Sequence, residues 1–183
     1  MGKPVALIPL NDLSRAKGRL AEVLSPEHRA GLATATFATV ALAAERAGLE
    51  VVVLAANPPD LDGYTGVTLL PERPGVTGLN AQLEAALAGL PASDVLVLHA
   101  DLPLARAAEL QRVIEAAPPA PSVTLVESRD GGTNVMLLRP RGTFPLHYGR
   151  GSFALHVAAA RAAGVAVCVV ESDTLSLDLD TPE

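Results

Sequence analysis

Residues 94–103 read Asp-Val-Leu-Val-Leu-His-Ala-Asp-Leu-Pro, and they decide how the rest of the chain is to be read. Four apolar residues in a row, with no polar alternation, suit a strand covered on both faces. The Asp-Leu-Pro that follows breaks the strand and leaves a carboxylate at its carboxyl end. Similar runs recur as PVALIPL (4–10), EVVVLAA (50–56), PSVTLVE (121–127), NVMLLRP (134–140) and VAVCVVE (165–171). Helical patterns separate several of them. Ser25 and Pro26 form an N-cap and first-turn pair, Ala33, Phe37, Val40, Ala41 and Ala44 keep helical spacing, and Gly48 closes that helix. Leu79, Leu83, Ala86, Leu87 and Leu90 mark a second stripe, Ala107, Leu110 and Ile114 a third, and Phe153, His156, Val157 and Ala160, closed by Gly164, a fourth. Strands alternating with helices predict an α/β layered fold on a largely parallel sheet.

The bulk numbers fit one domain over residues 1–183. The 183 residues are 49% apolar, enough for a full core, and contain no Trp. A net charge of −6 without a Lys/Arg stripe argues against a nucleic-acid partner. The single cysteine, Cys168, excludes an intrachain disulfide framework and is expected to be a buried structural thiol. No apolar run is long enough to span a bilayer and no signal peptide is visible, so the expectation is a cytoplasmic protein away from membranes. Oligomeric state is not written in the pattern.

In open α/β sheets ligands bind at the carboxyl ends of the strands. After the first strand, Arg15, Lys17 and Arg19 fall within five residues of an otherwise acidic chain. Such a cluster either is a solvated basic loop or holds a triphosphate, and Lys17 is the best single candidate. Asp101 either caps the turn after its strand or holds a hard cation. His99 is expected to be packed inside the strand. Near the terminus, Thr174–Glu183 reads TLSLDLDTPE. Taken as a strand, it places Ser176, Asp178 and Asp180 on one face. Adjacent like charges repel unless a cation sits between them, so Asp178 and Asp180 can join Asp101 around Mg²⁺. The alternative is a polar strand edge near a frayed end.

The glycine loops DGGTN (130–134) and HYGRGS (147–152) offer backbone donors, with Thr133 and Ser152 adding hydroxyls at the start of a helix. They can hold a second phosphate, or they only make turns, with Ser152 an ordinary N-cap. His147, Tyr148 and Arg150 nearby favour a pocket, and His156 reads as structural. In TGLNAQL (77–83), Gly78 allows close backbone approach and Asn80 can meet a base or ribose edge; alternatively Thr77 or Asn80 only caps the helix.

Together, IPL…DLSRAKGRLAEVLSPEHRAGLA, TGLNAQL, VLVLHADLPL, DGGTN, HYGRGSFALH and LSLDLDTPE resemble, in order and over nearly the whole chain, the guanylyltransferases of deazaflavin coenzyme (F-420) biosynthesis. These are the 2-phospho-L-lactate guanylyltransferases and their bacterial phosphoenolpyruvate counterparts. The resemblance implies a three-layer α/β/α Rossmann-like fold of the nucleotide-diphospho-sugar transferase (GT-A-like) type, with a mostly parallel mixed sheet. It implies that GTP and a small phosphorylated three-carbon acid react to a guanosine diphospho-acid and pyrophosphate. On the matching positions it implies Mg²⁺ held by Asp101, Asp178 and Asp180. Thr133, Gly149 and Ser152 would bind the acceptor. Arg15, Lys17, Arg19, Gly78, Leu79 and Asn80 would bind GTP, with Lys17 and Asp101 catalytic. Asn11 stands where the family usually carries a lysine, which shifts weight onto Lys17 and Arg19. The family's chains also usually run on past DTPE into a short helix. Rival readings are transfer to another phosphorylated acceptor, such as 3-phosphoglycerate or a pterin, and a nucleotide-binding module without catalysis.

Overall fold

The structure, a computed structural model, describes residues 4–10, 21–56 and 66–179. Its centre is one seven-stranded sheet. In chain order the elements are β1 (Val5–Pro9), α1 (Pro26–Arg46), β2 (Glu50–Ala55), β3 (Val67–Pro71), α2 (Leu79–Gly89), β4 (Val95–Leu98), α3 (Ala107–Glu115), β5 (Ser122–Glu127), β6 (Thr133–Arg139), α4 (Ser152–Ala162) and β7 (Ala166–Val169). The strand order is β3-β2-β1-β4-β6-β5-β7. Every pairing is parallel except those of β6, which runs antiparallel to both β4 and β5.

Side-chain alternation splits the core into two layers. Leu96 and Leu98 of β4 face a cluster with Phe37 and Val40 of α1 and Leu110 and Val113 of α3. Val95 and Val97 face the opposite cluster, with Leu83 and Leu87 of α2 and Ala160 of α4. Helices therefore cover both faces of the sheet, giving the expected three-layer mixed α/β architecture. α1 begins as its sequence dictates: Ser25 caps it by accepting the His28 amide, and Pro26 starts the helix.

Three expectations are corrected. The sequence reading has no strand at 67–71, yet β3 lies there, at one edge of the sheet and largely exposed, so it lacks a buried apolar run. TLSLDLD is not a strand: residues 173–175 form a turn and 177–179 have no regular structure, because Ser176 N–H closes back on the Ser172 carbonyl. Cys168 is half-buried, since β7 is the opposite edge strand.

The reversed direction of β6 matters most for function. Its first residues lie level with the carboxyl end of β4, with Val135 opposite Leu98 and the His99 amide donating to the Asn134 carbonyl at 3.0 Å. The loop that enters β6 thus joins the edge where the parallel strands end.

Candidate active site

A cleft of about 590 Å³ opens at that edge. Five parts of the chain line it: Leu79 at the start of α2, His99 after β4, the β5–β6 turn with Thr133 and Asn134, the 148–152 loop into α4, and the C-terminal segment through Asp178.

The β5–β6 turn is rigidly drawn. The Ser128 hydroxyl donates to Asp130 and accepts the Gly132 amide at 2.7 Å, while Asp130 Oδ1 takes the same amide at 3.0 Å. A side chain at Gly132 would place its Cβ 2.7 Å from Ser128 Oγ, so only glycine fits undisturbed. Thr133 and Ser152 then meet in the buried floor, with Ser152 donating to Thr133 Oγ1 at 3.1 Å. Gly151, not Ser152, is the N-cap of α4, which corrects the plain capping reading of Ser152. Gly149 sits at φ 140°, a conformation that favours glycine.

Asn80 does not cap α2, which corrects the capping reading of it. Gly78 is the N-cap of α2. Asn80 donates through Nδ2 to the Tyr148 carbonyl at 3.0 Å and accepts the Tyr148 amide through Oδ1 at 2.6 Å. It ties α2 to the 148–152 loop. Leu79 is 40% exposed at the cleft rather than part of the apolar stripe.

His99 lies beyond the last residue of β4 and lines the cleft, a correction to its packed-strand reading. Its ring sits 5.3 Å from that of Tyr148, which in turn stands edge-on to His156 at 4.9 Å. Burial pushes the Tyr148 phenol well above its ordinary pKa. Burial first, then the neighbouring His147 and His99, lowers His156 from 6.5 to about 4.

The turn that carries Asp101 and the segment that carries Asp178 are joined through the backbone. The Leu179 amide donates to the Asp101 carbonyl at 3.2 Å, and Asp178 is the preceding residue. Hard carboxylate oxygens from two adjacent segments suit a cation such as Mg²⁺, which takes one or two carboxylates and completes its shell with phosphate and water. Among the described residues no group of three or more His, Cys, Asp or Glu forms a metal cluster. Asp180, like Arg15, Lys17 and Arg19, lies outside the described residues. Among those described, no helix is long and apolar enough to cross a membrane.

Sequence reasoning missed Ser128, Asp130 and Asn134. Only the spacing of a tight turn between two strands pointed to the first two. Asn134 hides within a strand, where its amide donates to the Leu175 carbonyl at 2.9 Å.

Comparison with known proteins places the chain as a whole. The family described as "Guanylyl transferase CofC like" matches residues 4–183. The chain is 38% identical over 185 residues to a phosphoenolpyruvate guanylyltransferase of Rubrobacter xylanophilus, covering 97% of this chain and 89% of the relative. It is 36% identical over 185 residues to a 2-phospho-L-lactate guanylyltransferase of Methanothermobacter thermautotrophicus, covering 99% and 82%. A solved nucleotidyl transferase of Methanothermobacter thermautotrophicus aligns with a TM-score of 0.71 at 17% identity, over 99% of this chain and 93% of that one. At that identity the likeness is one of fold.

Proposed function

The chain belongs to the CofC-like guanylyl transferases, and on that premise we propose that it transfers GMP from GTP to a phosphorylated three-carbon acid. Phosphoenolpyruvate and 2-phospho-L-lactate are the acceptors of choice, pyrophosphate is the second product, and the reaction serves deazaflavin coenzyme (F-420) synthesis. The observation that carries this reading is the cleft itself. It combines buried hydroxyls at the N-terminus of α4, where an anion is favoured, with an aspartate held next to the Asp101 turn.

In this reading an oxygen of the acceptor's phosphate attacks the α-phosphorus of GTP. A P–O bond forms there, the bond to the β-phosphate bridging oxygen breaks, and pyrophosphate departs with the electron pair. The attacking oxygen is already anionic at neutral pH, so no general base is needed. The work left to the protein is alignment and charge neutralisation. Thr133, Ser152 and the Gly149 backbone orient the acceptor. Leu79 and Gly78 border the nucleotide, and Asn80 acts through the loop it clamps. Lys17, Arg15 and Arg19 neutralise the triphosphate and the departing pyrophosphate. Asp101, Asp178 and Asp180 would hold Mg²⁺, which supplies the positive charge that lets two phosphate groups approach.

The test is direct. Purified protein with Mg²⁺ is given GTP, ATP or CTP, together with phosphoenolpyruvate, 2-phospho-L-lactate or 3-phospho-D-glycerate. Pyrophosphate release and product mass are measured. Release requiring both GTP and one of the acids is expected; no release with any pair overturns the proposal.

A further inference from the structure

We infer that His156 is a positioning residue for the acceptor, fixing the direction in which the Thr133 hydroxyl donates its hydrogen. The inference rests on the acceptor role proposed for the cleft.

His156 lies on α4 and is fully buried. Its Nε2 is 2.8 Å from the His147 amide nitrogen. A backbone N–H can only donate, so Nε2 is the acceptor and carries no proton. The ring hydrogen of the neutral imidazole is therefore on Nδ1. Nδ1 stands 3.0 Å from Thr133 Oγ1 and donates to it. Thr133 Oγ1 also accepts from the Ser152 hydroxyl. Both lone pairs of the Thr133 oxygen are then engaged, and its own hydrogen is left for the cleft that Thr133 lines. A donor held in one direction suits the anionic oxygen of a phosphate or carboxylate. The low proton affinity of the buried ring keeps this tautomer neutral across the working range. The same imidazole accepts the His147 amide at the start of the loop, but the residue before Gly149 is held independently by Asn80, through both the amide and the carbonyl of Tyr148, so the His156 role specific to the acceptor is the Thr133 hydroxyl.

Two substitutions separate these jobs. In His156→Asn the side-chain amide reaches the place of Nδ1 and still donates to Thr133. In His156→Gln it reaches the place of Nε2 and still accepts the His147 amide, while the bond to Thr133 is lost. We expect His156→Gln to raise the acid KM by about tenfold, one hydrogen bond's worth. The GTP KM should be unchanged and the acid KM of His156→Asn should stay within about threefold of the parent. Thr133→Val should raise the acid KM as much as His156→Gln, and the double variant no further. Equal effects of Asn and Gln, or equal shifts in both substrates, reduce His156 to packing and overturn the inference. Should the variants fail to fold, ¹⁵N NMR of the parent's imidazoles decides. The Nδ1–H tautomer at neutral pH, with Nδ1 shifting when phosphoenolpyruvate is added, supports the inference; Nε2–H overturns it. A parent that binds phosphoenolpyruvate with that shift but releases no pyrophosphate defeats the proposed reaction while sparing the role of His156.

Discussion

The amide of Leu179 donates to the carbonyl of Asp101 at 3.2 Å, joining the C-terminal segment to the turn after β4. Two further bonds hold that segment: the Arg129 amide to the Ser176 carbonyl at 3.1 Å, and the Asn134 side chain to the Leu175 carbonyl at 2.9 Å. A stretch without regular structure is thereby fixed from three sides. Its aspartate is delivered to the cleft by backbone bonds, not by strand pairing.

If these carboxylates share one cation, they must fail together. Asp101→Asn and Asp178→Asn should each lower kcat by about 10²–10³ at saturating Mg²⁺, GTP and acid, the range for removing one preorganised electrostatic contact. Thermal stability should change little. The double variant should be scarcely worse than either single, since residues acting as a unit are not additive. Pyrophosphate release measures all three, and a single variant at full rate would remove its aspartate from the site.

Asn134 is 1% exposed, and its amide is the buried tether of the segment. Asn134→Ala leaves the Leu175 carbonyl without this donor and should cost about 1–3 kcal/mol of stability. The loss should be local as well as global. Hydrogen exchange of the Ser176 and Leu179 amides should accelerate more than that of β4. Uniform acceleration would mean that Asn134 supports the sheet and not the tether.

Much of the fold is legible because buried parallel strands announce themselves. Val95–Leu98 needs no partner information to be read as covered on both faces, and Ser25-Pro26 marks the start of α1. β3 escapes the same reasoning because its burial is slight at an edge. The direction of β6 escapes it too, since strand polarity is a property of pairing and not of composition. The site divides along the same line. Thr133, Ser152 and Asp178 are visible as residue types suited to anions and cations. Asn80, Asn134 and His156 act through bonds to residues distant in the chain, which no local pattern records.

The lowered proton affinity of His156 also predicts a stability change with pH. The groups facing it are the rings of His147, His99 and Tyr148. In the unfolded chain the imidazole titrates near 6.5, in the folded protein at about 4. Between those values the unfolded state binds a proton that the native state refuses. The contribution is therefore complete above about 6.5 and is lost as pH falls toward 4, at up to about 1.4 kcal/mol per pH unit. Urea midpoints from pH 7 to 4.5 should fall less steeply for His156→Asn than for the parent. Parallel curves would show that His156 titrates normally in the native state.

Gly131 and Gly132 are neighbours with opposite constraints, which makes the β5–β6 turn a test of how the Thr133 floor of the cleft is held. Gly131 has φ 82° with open space around a would-be Cβ, so Gly131→Ala meets backbone strain alone, about 1–2 kcal/mol. Gly132 is limited by its surroundings: the new carbon would stand 2.7 Å from Ser128 Oγ and 3.1 Å from Asp130 Oδ1. Those two oxygens are the ones that accept the Gly132 amide, so moving them breaks the turn's own bonds. Gly132→Ala should therefore cost about 1–3 kcal/mol by overpacking. It should also raise the acid KM, because Thr133 follows directly. Gly132→Ala combined with Ser128→Ala removes the nearer clash and should recover part of the stability while leaving the acid KM high, since the Ser128 bond to the Gly132 amide is also gone. Denaturation midpoints and acid KM values for the four proteins separate these effects. Full recovery of both quantities would show that space, and not the hydrogen-bonded turn, sets the position of Thr133.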